Sequence, residues 1–234
     1  MKSYKILINK HFNENCFVVG AGPSLYDCFI NYRFKEIFKH VVISVNSSIV
    51  VMPWNTENNG KRYWISNDAL SRRWSWWKDV LRSNCTKVVR NSWLKYKKEI
   101  PGFLIFKPRT TSEGIIDPKD NGLCYCSSVP SAIDLSLFLG CKRIFLLGVD
   151  HYDVGGKSHF WQLMSSKYHQ RQIRPAQGPF SQQKKVFPIN ILAYKALLKF
   201  AKYKKAEIYN CSILSKVEVF EKISFDYILN LIKK

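Results

Sequence analysis

The chain has 234 residues, 46% of them hydrophobic and 15% aromatic, and 37 Lys and Arg against 17 Asp and Glu leave a net charge of +20. Such a chain supports one substantial core and is not compositionally disordered, and no apolar run reaches the roughly 20 residues that cross a bilayer. The charge points to a polyanionic partner, whether nucleic acid, an anionic membrane surface or an acidic glycan, although abundant Lys, Ile and Asn also fit a generally basic protein.

Met1–Lys10 holds only the apolar triplet Ile6-Leu7-Ile8 and does not read as a signal peptide. Strand-like apolar runs then recur at Cys16–Val19, Val41–Val45, Tyr63–Ile65, Lys87–Val89, Phe103–Phe106, Ile144–Leu147 and Glu207–Tyr209. Helical periodicity fills the gaps at Leu25–Phe38, Ala69–Leu81, Pro130–Leu139 and Ile189–Tyr203, with a last amphipathic stretch at Val217–Ile232. This alternation predicts a single α/β domain over residues 1–234, with a mostly parallel sheet flanked by helices.

The first strand ends in Gly20-Ala21-Gly22-Pro23-Ser24-Leu25. Glycines there let the backbone approach a bound group, and the turn's amides together with the following helix N-terminus favour a phosphate. Ligands of such sheets lie beyond the carboxyl ends of the strands, which gathers Gly20–Ser24, Asn46–Ser48, Asn67–Asp68 and Gly148–Tyr152. Two long stretches, Pro108–Ser127 and Asp150–Pro188, break the alternation, and the second reads as a lid over the site. The seven cysteines show no metal-ligand spacing and read as free thiols of a reducing compartment, Cys124 and Cys126 as small buried hydrophobes.

Three blocks carry a family resemblance: the glycine turn Gly20–Leu25, the pair Val45-Asn46, and the segment Ser128–Tyr152. Together they resemble the superfamily joining bacterial sialyltransferases of glycosyltransferase family 42 with the MptE-like (DUF115) proteins. The resemblance runs from Cys16 to about Cys211 and implies a Rossmann-like, GT-A-like variant with a lid. It also implies an enzyme using a nucleotide-activated sugar, CMP- or UDP-linked, as donor, which the cysteine reading places in the cytoplasm. Gly20, Gly22, Pro23 and Ser24 would form the nucleotide turn, Asn46 would contact the nucleotide, Ser127 and Ser128 would flank the donor, and Tyr152 would hydrogen-bond its phosphate. The family's second tyrosine falls near Ser158 or His159. Two positions depart from the pattern: Ala21 stands where the sialyltransferases have asparagine, and Val186-Phe187-Pro188 occupies the region of their histidine base.

The lid histidines are the candidate replacements for that base, His169 first, then His159 and His151; an imidazole near neutral pKa suits proton removal from an acceptor hydroxyl. Tyrosine hydroxyls and the lid cations Lys157, Arg171 or Arg174 would stabilise the leaving phosphate. Asp150 either caps a turn or acts on ribose or Mg²⁺, and Asp68 raises the same question; a metal is possible, not required. Between Lys61 and Lys98, basic residues alternate with aromatics, and Arg72, Arg73, Trp76 and Lys78 are the candidate acceptor contacts, against the alternative that the tryptophans pack inward. The helical stretch at 217–232 either docks on the core or attaches the protein peripherally to the inner membrane face.

The expected function is transfer of a sugar to a hydroxyl of a polyanionic acceptor, either an anionic surface glycan or lipid or hydroxymethylated DNA. The alternatives are an MptE-like Mg²⁺-dependent pyrophosphokinase and a non-enzymatic nucleic-acid-binding module.

Overall fold

In the computed structural model, residues 4–53, 59–95, 101–109, 111–112, 115–117, 119–120, 122–124, 126–164 and 185–232 are described. Eight strands form one parallel sheet: β1 (Asn15–Val19), β2 (Val41–Val45), β3 (Arg62–Ser66), β4 (Thr86–Arg90), β5 (Phe103–Phe106), β8 (Arg143–Leu147), β9 (Glu207–Asn210) and β10 (Glu221–Lys222). A two-residue hairpin of β6 (Thr111–Ser112) and β7 (Ile115–Ile116) stands apart. The sheet order is β10-β9-β8-β1-β2-β3-β4-β5, so the chain builds outward from β1 to β5 and then returns to add β8, β9 and β10 on the other side. The order reverses between β1 and β8, and this Rossmann-like arrangement opens a crevice there.

All seven strands expected from the apolar runs lie within observed strands. Every residue of β2 and β3 is buried, as a parallel sheet covered on both faces requires. One face carries α3 (Ser128–Phe138) and α4 (Phe187–Tyr203), whose Ala132, Leu135, Tyr194 and Leu197 close over Val18, Ile43 and Ile144. The other face carries α1 (Ser24–Ile30), α2 (Trp77–Arg82) and α5 (Phe225–Leu231) over Phe17, Trp64 and Phe145.

The helices differ from the sequence reading at identifiable points. The stretch Leu25–Phe38 is broken after Ile30, where Asn31 turns extended and its Oδ1 accepts the Arg33 amide, and a 3₁₀ helix resumes at Phe34–Lys39. A side-chain oxygen that competes for local amides ends helices in this way. Ala69–Leu81 likewise splits into a 3₁₀ turn, Ala69–Arg73, and the short α2. The expected helix over 217–232 is β10 followed by α5: Glu221 and Lys222 pair with Tyr209 and Asn210, and Ser224 caps α5 by accepting the Tyr227 amide. Phe225, Ile228 and Leu229 of α5 are buried in the protein's own core. No helix among the described residues is long and apolar enough to cross a membrane.

The seven cysteines are free thiols, six of them buried and Cys126 half-buried. In the basic-aromatic segment Trp64, Trp76 and Trp93 are buried and Trp74 and Trp77 half-buried against them. Trp76 is 2% exposed and packs with Trp64 and Trp74, so it belongs to the core and does not present a stacking surface to an acceptor. Arg72 donates to the Ala69 carbonyl and lies over the Trp93 ring, whereas Arg73 and Lys78 remain exposed.

Candidate active site

β1 and β8 run side by side in register, Val19 opposite Leu147, so the loops that follow them leave the sheet together. The Gly20 amide donates to the Leu147 carbonyl at 2.7 Å and the Gly22 amide to the Gly148 carbonyl at 2.8 Å. Ser48 ties in the end of β2, its hydroxyl donating to the Val19 carbonyl and accepting the Val45 amide. Behind the β8 loop, Asn210 Nδ2 and Ser215 Oγ both donate to the Val149 carbonyl, and the Lys216 amide donates to that of Asp150.

Asp150 is 3% exposed, and its carboxylate occupies the start of α1. Its Oδ2 accepts the Ser24 amide at 2.8 Å and its Oδ1 accepts the Ser24 hydroxyl at 2.6 Å. Burial raises the Asp150 pKa, and the two Ser24 bonds act against that rise. The place expected to receive a ligand phosphate is thus taken by the protein's own anion. Asp68 plays a comparable local part, accepting the Leu70 amide at the start of its 3₁₀ turn.

A cleft of about 220 Å³ opens beside this junction, lined by Ala21 and Gly22 after β1, Asn46 after β2, Gly148–Tyr152 after β8, Val129 of α3, Ser158 and His159, and Phe187, Asn190 and Tyr194 of α4. Residues 187, 190 and 194 share a helix face at helical spacing. Pockets that enclose a whole drug-sized ligand usually hold ~300–1,000 Å³, so a nucleotide sugar would extend beyond this cavity. Two carboxamide oxygens in the lining, Asn46 Oδ1 and Asn190 Oδ1, are buried without a hydrogen-bond partner among the described residues. Asn46 adopts a left-handed φ of 52°, and its main-chain carbonyl accepts Trp64 Nε1. That contact fixes the main chain of a residue that lines the cleft.

The histidines here are neutral bases. His151, with φ of 55°, stacks flat on Phe187, ring centroids 4.1 Å apart, and burial lowers its pKa to about 4. His159 Nδ1 shares a hydrogen bond with Ser158 Oγ, and burial lowers it likewise to about 4. The Tyr152 phenol is pushed up to about 12 by burial first and then by the Asp150 carboxylate, so at neutral pH it is a hydrogen-bond donor. Among the described residues no Lys or Arg lines the cleft, so an anion there meets hydroxyl and amide donors.

No protein-family model and no curated protein sequence matches the chain. Its fold is shared with two bacterial glycosyltransferases of known structure. The MAf glycosyltransferase of Magnetospirillum magneticum AMB-1 superposes over 93% of this chain with a TM-score of 0.56 at 15% identity. The chain spans only 35% of that protein's length. The monofunctional alpha-2,3-sialyltransferase Cst-I of Campylobacter jejuni superposes over 92% of this chain and 81% of its own, with a TM-score of 0.50 at 15% identity. At such identity the likeness is one of fold.

The sequence-selected residues divide sharply on this fold. Gly22, Asn46, Asp150, Tyr152 and His159 line the cleft, as does His151. Gly20 and Pro23 shape the turn, and Ser24 faces Asp150 and a second cavity. The Ser128 hydroxyl accepts the Asn67 amide, and Ser127 begins α3 without a side-chain cap. His169, Arg171 and Arg174 lie outside the described residues. Asn190 was missed, and the one signal for it is a polar residue between Phe187 and Tyr194 on a buried helix face.

Proposed function

We propose that the chain is a glycosyltransferase that binds a nucleotide-activated sugar in the β1/β8 cleft and passes the sugar to an acceptor hydroxyl. The observation that carries this reading is that Asn46 and Asn190, whose buried carboxamide oxygens have no hydrogen-bond partner among the described residues, line one cleft with Tyr152 and two neutral imidazoles at the switch point of a Rossmann-like sheet. A buried acceptor without a partner costs about 1–3 kcal/mol, and ligand hydroxyl or amino donors would recover that. Asn46 is assigned to the nucleoside and Tyr152 to the leaving phosphate, with His151 or His159 as the base. The base takes the acceptor proton, the acceptor oxygen bonds the anomeric carbon, and the carbon–oxygen bond to phosphate breaks with its electron pair leaving on phosphate. Asp150 acts as a positioning residue that fixes the turn.

A divalent ion does not fit the cleft as it stands. Asp150 is the one carboxylate among its described lining residues, and Ser24 occupies both of its oxygens. This weighs against the pyrophosphokinase alternative. The burial of Trp76 weighs against a stacking nucleic-acid module, while the exposed Arg73 and Lys78 remain available to a polyanionic acceptor.

A panel of CMP-, UDP- and GDP-sugars, incubated with and without EDTA, should release free nucleotide equally in both conditions. Its kcat/KM should stay flat from neutral pH down to an acid limb near pH 4, where the cleft histidines take up protons. Absence of nucleotide release from every donor, or Mg²⁺-dependent AMP formation from ATP instead, would reject the reading. An acid limb near 6.5 would move the base to another group.

A further inference from the structure

A second cavity, of about 260 Å³, lies across the glycine turn from the first, between α1, α5 and the loop after β9. Its chemistry is the reverse of the molecule's. In a chain of net charge +20, no Lys or Arg among the described residues lines it, yet Asp27 and Asp226 do. Asp226 Oδ1 accepts Asn31 Nδ2 at 3.0 Å, and no described residue bonds its Oδ2. The Cys28 thiol in the same wall is pushed up to about 12, by burial first and then by Asp150, Asp27 and Asp226, so three carboxylates act on one small volume. Ser212, 5% exposed, lines the cavity with its hydroxyl beside Asp150 and Tyr152. The lining also has an apolar part: Ile213, Leu214, which is 72% exposed, and the buried Phe225.

Carboxylates beside apolar lining suit a ligand rich in hydroxyl or ammonium donors and carrying an apolar face. They repel phosphate and carboxylate groups, which excludes the nucleotide from this cavity. Tyr152 lines both cavities, so a ligand here sits across one side chain from the donor cleft. We infer that this second cavity holds an uncharged or amino sugar, the receiving end of the acceptor. The inference rests on the transferase reading and narrows it: the acceptor is a glycan whose receiving residue carries no negative charge.

Saturation-transfer NMR on the full chain, with methyl galactoside, methyl glucosaminide and methyl glucuronide as probes, tests this. The first two should bind saturably and the glucuronide should not. Leu214→Trp, at an exposed position that fills the cavity, and the double variant Asp27→Asn/Asp226→Asn should each weaken binding about tenfold or more, a loss of roughly 1.4 kcal/mol. CMP binding should be unchanged in both. No saturable binding of either uncharged or amino glycoside, equal binding of the glucuronide, or binding that survives both variants would overturn the assignment. A chain that binds the glycosides but no nucleotide would keep the sugar site and lose the transferase reading, so the two failures are separable.

Discussion

Asp150→Ala should lower the melting temperature by about 5–12 °C, because it strips the Ser24 amide and hydroxyl of their common acceptor in a buried setting. Each unsatisfied buried donor costs about 1–3 kcal/mol, offset in part by no longer burying a charge, for a net loss of about 2–4 kcal/mol. Asp150→Asn should recover some of this, since its carbonyl oxygen still accepts one bond while its NH₂ faces a second donor. The same variants separate a structural carboxylate from a catalytic or metal-binding one. Thermal melting that leaves Asp150→Ala as stable as the parent while nucleotide release vanishes would return the residue to chemistry.

Gly22→Ala should be a damaging small change at the cleft. A methyl group at Gly22 would lie 2.8 Å from Asp150 Cγ and 2.8 Å from the Gly148 carbonyl oxygen, nearer than side-chain carbons approach such atoms. Neither neighbour yields cheaply: one is main chain, and the other is held by Ser24. Overpacking of this kind costs about 1–3 kcal/mol, and here it also forces apart the two loops that form the cleft. Nucleotide affinity should fall together with stability. Combining Gly22→Ala with Asp150→Ala should cost less than the sum of the two, because removing the carboxylate removes one of the two clashes. Strict additivity in chemical denaturation would show that the two residues do not meet as described.

Much of the fold was legible because parallel strands buried on both faces read as continuous apolar runs, as in Val41–Val45 and Ile144–Leu147. β10 was not legible, since a two-residue strand of Glu221 and Lys222 has no pattern of its own and its neighbours Val217, Phe220 and Ile223 fall at helical spacing. The break at Asn31 was hidden for a related reason: a single side-chain hydrogen bond ends the helix while the apolar periodicity runs on through Phe34 and Ile37. Within the site, the sequence marked the glycine turn, Asn46, Asp150 and Tyr152. It could not show that Asp150 fills the helix start, because that contact spans 126 positions in the chain. Trp76 misled in the same way, since basic neighbours such as Lys78 suggest a surface while the ring itself packs on Trp64.

A nucleotide held in the β1/β8 cleft would lie against Asn46 and Asn190. Isothermal titration of CMP, UDP, GDP and ATP into the parent chain, Asn46→Ala and Asn190→Ala tests it most directly. A nucleotide should bind the parent without added metal and each variant about tenfold or more weakly, with melting temperatures unchanged within a few degrees. Binding that both variants retain in full, or no binding of any of the four nucleotides to the parent, would contradict it.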